Sequence, residues 1–163
     1  QARAVGALKD GVVVAAYASQ PFDVEGEPVG VEGGGLVVMA FDHDASLSWA
    51  QSFAATGAMT PRDLAADDGI VVVVGDAQGS LAVAGQTTTA DPGHAQAFVV
   101  ALASDGTPLW LASDGAVGGV DSAFGVVLEA GDPVLCGGAS APVFGSAAVP
   151  TGIDAFVARF GSL

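Results

Sequence analysis

The segment Asp42-His43-Asp44 is the cluster in this sequence best equipped for chemistry, with two carboxylates flanking an imidazole. Such a set suits metal ligation or proton transfer. Calcium would need several more oxygens from a defined loop, and none follows. The same place in a second copy of the surrounding pattern reads Ala103-Ser104-Asp105, which assigns Asp42–Asp44 to a polar hairpin turn. Asp67-Asp68 offers two carboxylates of the kind glycosidases use. Neighbouring residues at a strand end point to opposite faces, however, and the matching positions Lys9-Asp10 and Glu129-Ala130 are again turns. Asp23, Glu25, Glu27 and Glu32 fall in the glycine-rich segment 20–35, a site for a cation or cationic partner or else a solvated loop. His94 ends a long polar connection from Gln86 and reads as a surface histidine. Cys136 is the one cysteine, so no intrachain disulfide and no multi-cysteine zinc site can form; in Pro133-Val134-Leu135-Cys136-Gly137 it reads as a small buried hydrophobe. No G-x-S-x-G or H-E-x-x-H occurs, and Gly33-Gly34-Gly35 lacks the Lys-Ser/Thr of a phosphate loop. No catalytic, cofactor-binding or metal-binding residue is therefore assigned, and no cofactor is expected.

Composition narrows the partners. The formal charge is −14, from 18 acidic and four basic residues. Nucleic acid needs a basic stripe to displace its counterions, and anionic lipid is disfavoured for the same reason. The acidity reads as solubility for a Val-rich β surface. Hydrophobic residues make up 51% but aromatics only 7%, with 24 glycines, which favours short strands and tight turns over long helices. The longest apolar runs, Gly11–Ala18 and Ile70–Val74, are strand-sized and far short of the roughly 18–20 residues that cross a bilayer. The opening Gln1-Ala2-Arg3-Ala4 has neither the basic nor the apolar region of a signal peptide, which leaves export open.

The elements that must position these residues repeat. Leu36–Phe41 matches Ala97–Leu102 at an offset of 61 (97 − 36), and the same offset carries Trp49 onto Trp110, the only two tryptophans. A third copy begins at Ala155–Phe160, offset 58 (155 − 97). A second pattern recurs as two apolar strands around a Gly/Asp turn: Ala2–Leu8 with Val12–Ala16, Pro61–Ala66 with Ile70–Gly75, and Ser122–Leu128 with Pro133–Gly138. The chain reads as one region over 1–163, with units at about 1–35 (partial), 36–96, 97–154 and 155–163 (partial). Long connections at 20–35, 76–96 and 139–154 join the units.

A lone four-stranded sheet that is apolar on both faces can hide them only against copies of itself. The expected fold is thus all-β, a β-propeller-like array of four-stranded antiparallel blades, with Trp49 and Trp110 filling the gaps between blades. About eleven strands make just under three blades, where closed propellers have roughly four to eight. The chain is then a fragment of a larger propeller, or copies associate to close a ring, or the hairpins form an open or sandwich-like stack. Pairing of Ala155–Phe160 with the N-terminal hairpin Val5–Ala16 would close the circle.

Asp154-Ala155-Phe156-Val157-Ala158-Arg159-Phe160 resembles the opening of the bacterial seven-bladed β-propeller repeat family, often abbreviated SBBP. The Asp105-Gly106 turn, Leu109-Trp110, Ala123–Val127 and Val72–Gly75 follow the family's order. Gln96 departs from the pattern in place of the leading Asp, and Gly35-Leu36-Val37 in place of Asp-Ala-Phe. The resemblance implies an extracellular or cell-envelope propeller and no catalytic residues. The expected function is a non-catalytic binding or structural module of an exported bacterial protein. The alternative is a glycan-active hydrolase or lyase, its site on the blade-connecting loops where acidic side chains from different units converge. Expected partners are a protein or glycan ligand, with no nucleic acid, no membrane insertion, and strand-pairing with other blades or copies through exposed edges.

Overall fold

The computed structural model describes residues 1–89, 93–115, 119–140, 143–144 and 152–161. These residues are all-β, and no helix long and apolar enough to cross a membrane is among them. β1 (Ala2–Leu8) and β2 (Gly11–Ala18) open the first sheet. The chain then forms a separate hairpin, β3 (Phe22–Val24) and β4 (Glu27–Val29), before β5 (Gly35–Asp42) and β6 (Leu47–Ala54) complete the order β1-β2-β5-β6. The second sheet follows the same course. β7 (Met59–Ala66) and β8 (Ile70–Ala77) lead to the hairpin β9 (Ser80–Val83) and β10 (Gln86–Thr89), then β11 (Gln96–Ala103) and β12 (Pro108–Asp114). Its order is β7-β8-β11-β12. The third sheet holds β13 (Ser122–Glu129), β14 (Asp132–Ala139) and β15 (Asp154–Arg159). All the strand pairs are antiparallel.

Each four-stranded sheet joins the second hairpin of one sequence unit to the first hairpin of the next. The long connections 20–35 and 76–96 therefore lie inside a sheet, between its second and third strands, and each carries its own hairpin. The third connection, 139–154, falls mostly outside the described residues. Ala155–Phe160 contributes β15, which pairs with β14, and no pairing of it with Val5–Ala16 occurs among the described residues.

Alternation along the strands explains the continuous apolar runs. In β8, Val71 and Val73 face the first sheet while Val72 and Val74 face the third, and all four are fully buried. In β11, Phe98, Val100 and Leu102 face one way and Ala97, Val99 and Ala101 the other. The middle sheet is thus covered on both faces, the condition under which a strand loses its polar side. The outward face of the first sheet, with Val37 and Met39, is partly covered by its own hairpin through Val29.

Glycine sets how closely strands meet. Phe98 lies opposite Gly75, where a Cβ would stand 2.1 Å from the Thr60 carbonyl oxygen and 2.9 Å from the Phe98 ring. Phe156 lies opposite Gly137 in the same way, with a hypothetical Cβ 2.5 Å from its ring. The first sheet has Val37 opposite Ala16 instead. A smaller residue on one strand accompanies a larger one on its neighbour, so the departure Gly35-Leu36-Val37 preserves the filled volume.

The first strands carry corresponding irregularities. The register shifts between Ala2 and Ala4 in β1, between Pro61 and Asp63 in β7, and between Ala123 and Gly125 in β13. Each shift marks an extra residue, Arg3, Arg62 or Phe124, of the kind that bends a strand and re-aims a side chain. Contacts between sheets concentrate along β1, β7 and β13. Gly6 makes room there for Leu64, and the Val126 N–H donates across to Asp63 Oδ2 at 2.9 Å. At the far side, β9–β10 lies between β6 and β12. It is fastened by the Ala55–Leu81 bridge, by the Thr56 N–H to the Ser80 carbonyl at 3.0 Å, and by the Leu111 N–H to Gln86 Oε1 at 2.8 Å.

One expectation about the core is corrected. Cys136 is exposed, not buried. It lies opposite Val157, itself 74% exposed, on the face of the third sheet turned away from the second. The matching face of the first two sheets is covered by the sheet that follows, and among the described residues nothing covers this one.

Candidate functional site

The residues singled out by type serve mostly as turn formers. Asp42 Oδ1 accepts from the Asp44 and Ser46 N–H groups, both at 2.9 Å, while His43 points to solvent. Asp67 Oδ1 accepts from the Gly69 and Ile70 N–H groups at 2.8 and 2.9 Å. Asp23 closes the β3–β4 turn on the Gly26 N–H at 2.8 Å, and Glu25 reaches the Leu47 N–H at 2.9 Å. The segment 20–35 is thus a hairpin docked on β6 rather than a free loop. His94 differs from a surface histidine: its Nδ1 is enclosed and has no hydrogen-bond partner among the described residues. Among the described residues no three His, Cys, Asp or Glu side chains gather as a metal site.

The structure does assemble a cleft of about 370 Å³ at the turn end of the first two sheets. The β1–β2 turn supplies Lys9 and Asp10, the start of β6 supplies Ser48 and Trp49, the β7–β8 turn supplies Asp68, and the β11–β12 turn supplies Ser104. Trp49 forms part of its wall. The indole Nε1–H donates to the Ser104 carbonyl at 3.0 Å, tying the first sheet to the second. The ring lies against Gly106, whose φ of +87° and whose lack of a Cβ, which would sit 2.7 Å from the indole, allow that approach. Ser104 Oγ in turn donates to the Asp68 carbonyl at 2.9 Å. Trp110 holds the matching place in the second sheet and stacks on Phe160, centroids 5.4 Å apart.

The carboxylates divide their work. Asp67 folds back on its own turn, whereas Asp68 and Asp10 border the cleft from different sheets. Asp105 is held below the usual carboxylate value of 3.8, chiefly by the Thr107 N–H, which donates to its Oδ1 at 2.9 Å. Lys9 adds a cation to the lining, Ser48 a hydroxyl, and Trp49 an apolar wall. Together they can hold a polar ligand with a flat apolar face, as aromatic and hydroxyl groups hold sugars. Sequence reading identified Trp49 as a gap filler; its spacing from Trp110 was the available signal. Lys9, Ser48 and Ser104 carried no signal, because they are far apart in sequence: strand pairing in the first sheet brings Lys9 and Ser48 to one end, and Ser104 reaches them only through sheet stacking.

A second recess, of about 280 Å³, opens at the opposite end of β1 and β7. Arg3, Thr60, Pro61, Arg62 and Phe124 line it, so the extra residues of all three first strands meet there. No protein-family model matches the chain, and no curated protein matches it either.

Proposed function

We propose that the chain is a non-catalytic binding or structural module, built as part of a β-propeller belonging to an exported or cell-envelope protein. The carrying observation is the stacking itself. Three antiparallel sheets set their first strands side by side, each with its irregularity at the same place, and the middle sheet is buried on both faces. The outer faces remain apolar, with Val5 and Val12 on one side and Val127, Cys136 and Val157 on the other, as in blades whose neighbours lie beyond them. The likeness to the seven-bladed repeat family supports the same reading. In this reading the turn-end cleft around Trp49 takes the ligand. Images of the full-length gene product would show sheets of this kind closing round an axis; a discrete sandwich would refute the architecture. Purified chain is expected to leave panels of chromogenic glycosides, esters and peptides unchanged.

One observation favours a glycan-active enzyme as the second reading: Asp10 and Asp68, from two sheets, border one cleft beside Trp49. Release of reducing ends from a polysaccharide, lost in Asp68→Asn, would establish that reading and remove the first. Retention of a glycan without any release supports the binding module.

A further inference from the structure

The geometry points to the recess between Arg3, Arg62 and Phe124 as a binding site for a small organic carboxylate whose apolar body rests on Phe124. This chain holds 18 acidic residues and four basic ones, so an arginine should readily find a carboxylate. Two of the four nevertheless line one recess, and none of its lining residues is acidic. Arg3 Nη2 donates only to the neutral Gln1 Oε1, at 2.8 Å, and joins no ion pair among the described residues. Arg3 thus lines the recess with no acidic partner among the described residues.

Arg62 is oriented rather than free. Its Nε donates to Asp76 Oδ1, which also accepts from Ser122 Oγ at 3.1 Å. Its Cζ stands 5.3 Å from the centre of the Phe124 ring, within cation–π range. The guanidinium plane is thus fixed from two sides while its terminal nitrogens keep their donors. A planar guanidinium with donors to spare is the group that grips carboxylate oxygens in pairs. Phe124 is 53% exposed and offers the apolar wall, with Pro61 beside it. The pair Arg62–Asp76 is neutral, so the charge the site lacks is one negative charge opposite Arg3. The volume of about 280 Å³ fits a compact anion rather than a chain.

The chemistry is independent of the Trp49 cleft, which lies at the other end of β1. The test is calorimetric titration of the 163-residue chain with benzoate, paired with benzamide as its neutral isostere and with NMR observation of the arginine Nε–H resonances. Benzoate is expected to bind saturably and to shift the Arg62 signal, with benzamide at least about tenfold weaker. One charge-assisted pair is worth about ten- to hundredfold in affinity. Arg3→Gln is expected to lose at least tenfold with an unchanged melting temperature, since Arg3 is exposed. Arg62→Lys, which keeps a cation for Asp76, is expected to lose affinity while staying folded. Glucuronate serves as the hydroxylated arm, and either it or benzoate should bind more tightly than acetate. Equal binding of benzoate and benzamide, unaltered binding by Arg3→Gln, acetate matching both ring acids, or no saturable binding of any of them would each overturn the site.

Discussion

Removing the Leu81 side chain tests whether the β9–β10 hairpin is part of the core or a decoration upon it. Leu81 is fully buried, and it packs with the core that the first two sheets share. Its backbone bridges Ala55 at the end of the first sheet. Leu81→Ala deletes three carbons, about 2.4 kcal/mol of transfer free energy at ~0.8 each. The void adds to this, because Ser80 and Gln86 pin the hairpin to both sheets and hinder its collapse, so the total should fall between about 2.5 and 5 kcal/mol. For a domain of this size, that lowers the melting temperature by roughly 5–15 °C. Equilibrium unfolding in urea, followed by the fluorescence of Trp49 and Trp110, gives the difference at constant slope. Thr87→Ala, exposed in the same hairpin, is the control and should stay within about 0.5 kcal/mol. A Leu81→Ala loss under about 1 kcal/mol would refute the reasoning, since the hairpin would then be peeling away without disturbing the sheets.

Gly75→Ala should destabilise by roughly 1–3 kcal/mol, because its Cβ would meet the Thr60 carbonyl and the Phe98 ring. Adding Phe98→Val, which imitates the Ala16–Val37 pair of the first sheet, should recover part of that loss in the same urea assay. Cys136 should react with a thiol reagent in the native protein about as fast as in urea; protection in the native state would contradict its placement on an uncovered face. Asp105 is more acidic folded than unfolded, so its contribution to stability is complete above the ordinary Asp value and is lost as pH falls through its lower folded value. A carboxyl titration by NMR should place its midpoint below 3.8, and Asp105→Asn should flatten the acid limb of the stability curve.

Much of the fold was legible because β-structure writes its period into neighbouring residues. Val12–Ala16 and Ile70–Val74 announced strands, and Asp10-Gly11 and Gly131-Asp132 announced turns. The hairpins inside the long connections were less legible. Phe22-Asp23-Val24 alternates over only three residues, too few to register as a strand, and Gln86–Thr89 is polar throughout; both are mostly exposed. Cys136 misled for a different reason: Val134-Leu135-Cys136 is apolar throughout, and whether its outward face is covered depends on a neighbour that local sequence does not describe.

The sequence by itself determined the long strands of the three main sheets, the turns between them and the spacing of Trp49 and Trp110, because hydrogen-bonded pairing and side-chain alternation act over a few residues. Only the tertiary structure decided which strands share a sheet, that Trp49 reaches Ser104, and that Arg3, Arg62 and Phe124 meet at one recess. Those meetings join residues about sixty positions apart. They arise when the sheets stack to exclude water from both faces, a contact that no local pattern encodes.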